Sequence, residues 1–256
     1  VSQDRTSPMT DTPNAPQNTP AATPPVDKPP LDKTQIRDAA SILLIRRDDP
    51  AGPRVLMGQR GAGAAFMPSK YVFPGGALDQ GDWDIPLGTP LAPRCAQRLD
   101  SEAPTGIANA LAACAIRELW EETGLILGQK APWPAPAPSD WAGMATAGFR
   151  PAAHPLRFIF RAITPLGRPR RFDARFFLAD IADLATDPDD FSMACDELSH
   201  LHWVPITEAR ALNLPFITEV VLAEVQALLR GPAIEDPASL PFFDNSGARS
   251  EFRRIA

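Results

Sequence analysis

Cysteine is scarce in this chain of 256 residues: three, at Cys95, Cys114 and Cys195, with no CxxC or Cys/His spacing. That excludes a disulfide scaffold and a thiolate zinc site, and fits reduced thiols in a cytoplasmic protein. Histidine is as sparse, and no third ligand accompanies His200 and His202, so a histidine metal centre is not expected. No run of about 18 apolar residues exists to span a membrane, and the first residues have no apolar stretch suited to a signal peptide. A basic surface is missing too. Lys and Arg number 25 against 31 Asp and Glu, a formal charge of −6, so neither a nucleic-acid nor a membrane partner is expected. Neither a GxGxxG nor a GxxxxGK[ST] phosphate loop occurs.

Proline, by contrast, is abundant at thirty residues, about twice average usage. Residues 1–33 are rich in Pro, Thr, Asp and Asn and nearly devoid of large apolar side chains. Such a segment buries too little surface to offset its ordering entropy, so it reads as a disordered tail. A folded domain is expected over 34–230, and 231–256 is an extension of mixed signals. Ala39–Arg46 and Arg54–Arg60 read as buried strands joined by the turn-like Asp48–Gly52. Tyr71–Phe73, Leu125–Leu127, Phe158–Ile163, Arg171–Ile181 and His200–Val204 read as further strands. The strongest helix runs from Gly106 to Thr123, with Thr105 as N-cap and Gly124 in the left-handed position past its end. Thr218–Leu229 reads as a second, amphipathic helix. Strands interleaved with helices point to an α/β domain with helices on a mixed sheet.

Within the first helix lies Arg117-Glu118-Leu119-Trp120-Glu121-Glu122-Thr123-Gly124-Leu125. Glu118, Glu121 and Glu122 share one helix face, and Arg117 reaches Glu121 across one turn. Like charges at this spacing cost a few tenths of a kcal/mol. They also sit near the helix C-terminus, where the dipole favours cations. Two such carboxylates about 6 Å apart repel by roughly 3 kcal/mol at an effective dielectric near 20. The cluster makes sense with a hard divalent cation, Mg²⁺ or Mn²⁺, which favours oxygen ligands.

This segment resembles the second half of the Nudix box, RE-U-x-EE-x-G-U with U apolar, at every specified position. The first half, G-x5-E, has its counterpart in Gly76 and Asp82, a carboxylate one methylene shorter. Asp82 and Arg117 are separated by 34 residues, where a contiguous box has seven, so the box carries an insertion, read as a loop over 83–105. The stretches Phe66–Pro68, Tyr71–Asp79 and Pro169–Phe177 are similar to the Nudix subgroup that includes the peroxisomal coenzyme A diphosphatase, whose members also place a loop within the box.

The resemblance implies an α/β/α sandwich. It implies metal-dependent hydrolysis of a nucleoside diphosphate linked to another group, with coenzyme A or an acyl-coenzyme A leading and ADP-ribose or NADH as alternatives. A domain that binds its nucleotide without cleaving it is the reading from a different class. Glu118, Glu121, Glu122 and the backbone of Gly76 are the implied metal site, and Arg117 orients the glutamates. Glu118 and Glu197 are the two candidates for general base. Arg60, Arg170 and Arg171 are candidates for binding phosphate by charge-assisted hydrogen bonds. The interrupted box further requires Gly76 and Asp82 to lie near the glutamates, and reads residues 83–109 as a surface excursion followed by the early turns of the helix, so that removing Leu87 to Leu99 is expected to preserve metal-dependent cleavage while changing preference among substrates.

Overall fold

A computed structural model describes residues 35–64, 66–231 and 234–256; the tail expected over 1–33 lies outside them. In chain order the strands and helices are β1 (Ile36–Arg46), β2 (Arg54–Arg60), β3 (Tyr71–Val72), β4 (Gly75–Ala77), α1 (Pro93–Asp100), α2 (Ile107–Thr123), β5 (Gly128–Lys130), α3 (Ala142–Thr146), β6 (Phe149–Pro151), β7 (Arg157–Ile163), β8 (Arg171–Asp180), β9 (Leu198–Pro205), α4 (Phe216–Leu228), β10 (Leu240–Asp244) and β11 (Glu251–Ile255). The main sheet runs β11-β10-β7-β8-β1-β2-β3, with β4 also on β1 and β9 on β2; β5 and β6 form a separate pair. β1 is parallel to β8, and β10 to β7, while the other pairs are antiparallel. The sheet is therefore mixed, as expected.

β1 explains the layering. Its continuous apolar run is buried on both sides, as strands sandwiched between helices must be. Ala40, Ile42 and Leu44 face the core shared with α2, including Leu111, Ala115 and Leu119. Leu43 and Ile45 face a second core with Val221, Leu222 and Val225 of α4. The result is the α/β/α sandwich.

Three differences from the sequence reading bear on the site. The insertion is no bare surface excursion. It begins with a 3-10 turn over Gln80–Asp84 and carries α1, started by Pro93 at its first turn, which buries Cys95, Arg98 and Leu99. Leu91 and Ile85 join the same core. Second, α2 begins at Ile107, with Gly106 at a φ of 83° as its cap and no side-chain cap, so Thr105 does not serve. Gly124, at a φ of 75°, ends it as expected. Third, residues after 231 extend the sheet through β10 and β11, whereas Leu125–Leu127 is buried without pairing as a strand.

Candidate active site

Arg117 is the hub. Its side chain is almost fully buried and donates from Nε to Asp82 Oδ1 at 2.9 Å and from Nη2 to Asp82 Oδ2 at 3.0 Å. The same guanidinium reaches Glu118 Oε1 at 2.9 Å, Glu121 Oε2 at 3.1 Å and the Ala77 carbonyl at 3.2 Å, all from Nη groups. A planar fork of five donors suits this sharing, which a lysine could not reproduce. Asp82 is 2 % exposed, and its Oδ2 also accepts from the Asp79 backbone N–H, fixing the 3-10 turn. The chain segments on either side of the insertion are thus joined by a buried bidentate ion pair.

β4 supplies the opposite wall. The Gly75 N–H donates to Glu122 Oε2 at 2.8 Å. A Cβ on Gly76 would collide with the Glu118 carboxylate; only glycine permits that approach. Glu122 Oε1 is buried and has no partner among the described residues. Asp82, Glu118 and Glu121 share one guanidinium, Glu122 stands beside them without reaching it, and burial disfavours the charged forms of the three glutamates. Loss of solvent, opposed by Arg117 and reinforced by Glu121, pushes the Glu118 carboxyl up to about 7. Glu122 is raised well above the ordinary carboxylate range, first by burial and then by Glu118, and half-exposed Glu121 is raised by burial as well.

Glu118, Gly75 and Gly76 border a cleft of about 780 Å³ between the sheet, the start of α4 and the loops around 66–70 and 165–170. Glu197 lines it too and pairs with Arg60 at 2.9 Å. Phe66 and Phe172 meet edge-to-face across it, ring centroids 5.2 Å apart.

No family model matches the chain. Among curated proteins it is 29 % identical to the acyl-coenzyme A diphosphatase NUDT19 of Gallus gallus, across 68 % of this chain and 62 % of that protein. It is 31 % identical to the putative nudix hydrolase 7 of Caenorhabditis elegans, across 66 % of this chain and 51 % of that protein. The chain thus spans between half and two-thirds of the length of these relatives. A solved NUDIX hydrolase from Alicyclobacillus acidocaldarius superposes over 80 % of this chain and 100 % of its own, at 27 % identity and a TM-score of 0.59. The chain belongs to the Nudix hydrolase superfamily.

Members of this superfamily typically use divalent cations. Among the described residues no three His, Cys, Asp or Glu side chains already form a metal cage. The reason is visible: Arg117 draws Glu118 Oε1 and Glu121 Oε2 toward itself, and Gly75 holds Glu122 Oε2. The donor set nevertheless fits a hard cation. It is all oxygen and acidic in excess, and it includes one buried carboxylate oxygen with no partner, which is costly unless something positive meets it.

The fold places the remaining candidates unequally. Arg60 and Arg170 line the cleft, and Arg170 is exposed with no partner among the described residues. Arg171 must be withdrawn as a phosphate ligand. It is 5 % exposed and donates to the carbonyls of Thr164 and Asn245, tying β8 to the strand beyond β7. Strand alternation decides this: Phe172, Ala174 and Phe176 face the cleft, and their neighbours face away from it. Sequence reasoning missed Lys70, Arg37 and Arg168, three further cations on the cleft. None belongs to a motif, and only the folding of three separate segments around the sheet brings them together.

Proposed function

We propose that the protein hydrolyses the pyrophosphate bond of a nucleoside diphosphate linked to a second group, with Mg²⁺ or Mn²⁺ held by Glu118, Glu121 and Glu122. The observation that carries this reading is the orphaned, buried Oε1 of Glu122 within a cluster of carboxylates that a single guanidinium does not neutralise. When bound, such a cation neutralises charge on pyrophosphate oxygens and makes a neighbouring water more acidic.

Arg117 acts on the glutamates, not on substrate: with all its directed bonds inside the protein, it sets the orientation of Glu118 and Glu121. Gly75 and Gly76 let the backbone approach the glutamates and line the cleft beside them. Arg60, Arg170 and Lys70 meet the phosphates from the other walls. Attack of water on phosphorus breaks one P–O bond of the anhydride and releases a proton. Glu197 is assigned that proton, since it lines the cleft with one oxygen held by Arg60; Glu118 is committed to Arg117.

For the second group, coenzyme A and its thioesters are the leading choice. Support comes from the acyl-coenzyme A diphosphatase among the relatives and from a cleft much larger than a pyrophosphate fills. ADP-ribose and NADH are the alternatives. A phosphate-release screen of coenzyme A, an acyl-coenzyme A, ADP-ribose and NADH, with Mg²⁺, with Mn²⁺ and with EDTA, tests the reading. Cation-dependent cleavage of at least one compound is expected; tight nucleotide binding with no turnover of any would replace the hydrolase by a binding domain.

A further inference from the structure

The register of the sheet gives the cleft its shape. Ala77 of β4 is paired with Ala39 of β1, Ala39 with Ala174 of β8, Ala174 with Ala162 of β7, and Ala162 with Phe243 of β10. Residues in register on neighbouring strands point to the same face, and all five line the cleft. Four strand steps of about 4.8 Å make this row roughly 19 Å long. Phe172 and Phe176, two residues either side of Ala174, rise from the same face. The alanines therefore form a trough between bulkier side chains. Alanine is a poor strand residue, so sheet stability does not account for four of them in one line.

The two ends of the trough differ. Ala77 adjoins Gly76 and the glutamates. At the far end Phe243 meets Phe216 with ring centroids 6.4 Å apart, and Phe252 on its other side at 6.1 Å. Phe216 is 68 % exposed although it borders the cleft. Large rings left in water and continuous with a cleft are a surface waiting for an apolar ligand group. The floor between the ends carries no charge.

We propose that this alanine row floors a channel for the non-nucleotide arm of the substrate, a slim, extended chain whose apolar end rests on Phe243 and Phe216. The proposal deepens the function assigned above and rests on placing the diphosphate at the glutamate end. Phe216, Phe243 and the small size of Ala174 and Ala162 then determine specificity for arm length.

The test uses adenosine diphosphates esterified on the β-phosphate with methyl, butyl, octyl or dodecyl groups, titrated calorimetrically onto the full chain in EDTA. Absence of the cation weakens every member of the series alike. The dissociation constant is expected to fall at least tenfold from methyl to octyl, since each buried methylene tightens binding by up to about fourfold. Ala174→Leu, which fills the trough, and Phe216→Ala, which removes an exposed ring and leaves the fold intact, are each expected to shrink the methyl-to-octyl ratio fivefold or more. A flat series in the wild type, or a ratio unchanged in both variants, overturns the channel. Hydrolysis of the same esters with Mg²⁺ is a separate readout. Length-dependent binding without any cleavage sinks the proposed reaction and leaves the channel standing; cleavage with a flat binding series does the reverse.

Discussion

Replacing Asp82 with alanine removes the carboxylate that Arg117 grips with two of its nitrogens across the inserted segment. Both side chains are nearly inaccessible, at 1 % and 5 %, so the loss is not the small one of a surface pair. Breaking a buried ion pair from one side typically costs about 3–5 kcal/mol. Arg117 keeps Glu118 and Glu121 as partners, which places the guanidinium's share near the lower end. The Asp79 N–H also loses its acceptor, adding about 1 kcal/mol as for other helix caps. A loss of roughly 3–4 kcal/mol in urea unfolding is expected. Asp82→Asn retains an acceptor for Asp79 and one for Arg117, so it loses less. The cycle of Asp82→Ala, Arg117→Met and the double variant isolates the pair and is expected to give a coupling of about 2 kcal/mol or more. A coupling within 0.5 kcal/mol of zero, or an Asp82→Ala chain as stable as wild type, refutes the claim that this bond joins the two halves of the box.

Other outcomes follow from the same geometry. Glu122→Gln is expected to lose at least about 100-fold in metal-dependent kcat/KM, roughly 2.7 kcal/mol on the transition-state scale, while the metal-free protein unfolds no earlier; unchanged turnover at saturating Mg²⁺ removes Glu122 from the site. In EDTA, stability should fall as pH rises from 4.5 toward 7, because the Glu118 carboxyl sits near 7 when folded and near 4.5 when free. The folded state then holds the extra proton, so up to about 3 kcal/mol present at the acid end is lost above pH 7. Wild type and Glu118→Gln should match near pH 5 and diverge by pH 8, and parallel stability curves would show that the burial of Glu118 is not felt. Arg171→Ala is expected to destabilise by about 2 kcal/mol through its lost carbonyl bonds with little change in KM, whereas Arg170→Ala raises KM at unchanged melting temperature; the reverse pattern would return Arg171 to the phosphate site. Deleting Leu87–Leu99 removes buried Leu91, Cys95 and Leu99, so soluble, folded protein is not expected, and its recovery with full activity would show that the insertion is dispensable.

The parts of the fold that one strand or helix dictates were legible in the sequence. The unbroken apolar run of β1 required cover on both faces, and the helix carrying Glu118, Glu121 and Glu122 ended at Gly124 as its composition required. What could not be read depended on partners distant in the chain. α1 has only a proline at its start and a short amphipathic stretch, and its burial rests on β7 and α2, far along the sequence. Arg171 looked like its neighbour Arg170 because a strand's facing is set by register, and one residue reverses it. The β10–β11 pair depends in the same way on an open edge beside β7 that no local signal announces.

The interrupted box shows why this division falls where it does. A loop grown from 7 to 34 residues costs only about 1.4 kcal/mol in closure entropy. Chain length alone therefore puts little strain on the site, provided that something holds the loop's two ends. Here the ends hold themselves. Asp82 closes the first with a buried carboxylate, and Arg117 meets it from the second while gripping two of the glutamates. α1 then packs into the same core, so the inserted residues bury apolar surface instead of merely spanning a gap. The shorter aspartate suffices because the 3-10 turn of residues 80–84 carries its carboxyl to the guanidinium. In this arrangement the proximity of Gly76 to Glu118 is fixed by the ion pair and by the pairing of β4 with β1, and the length of chain between them is free to vary.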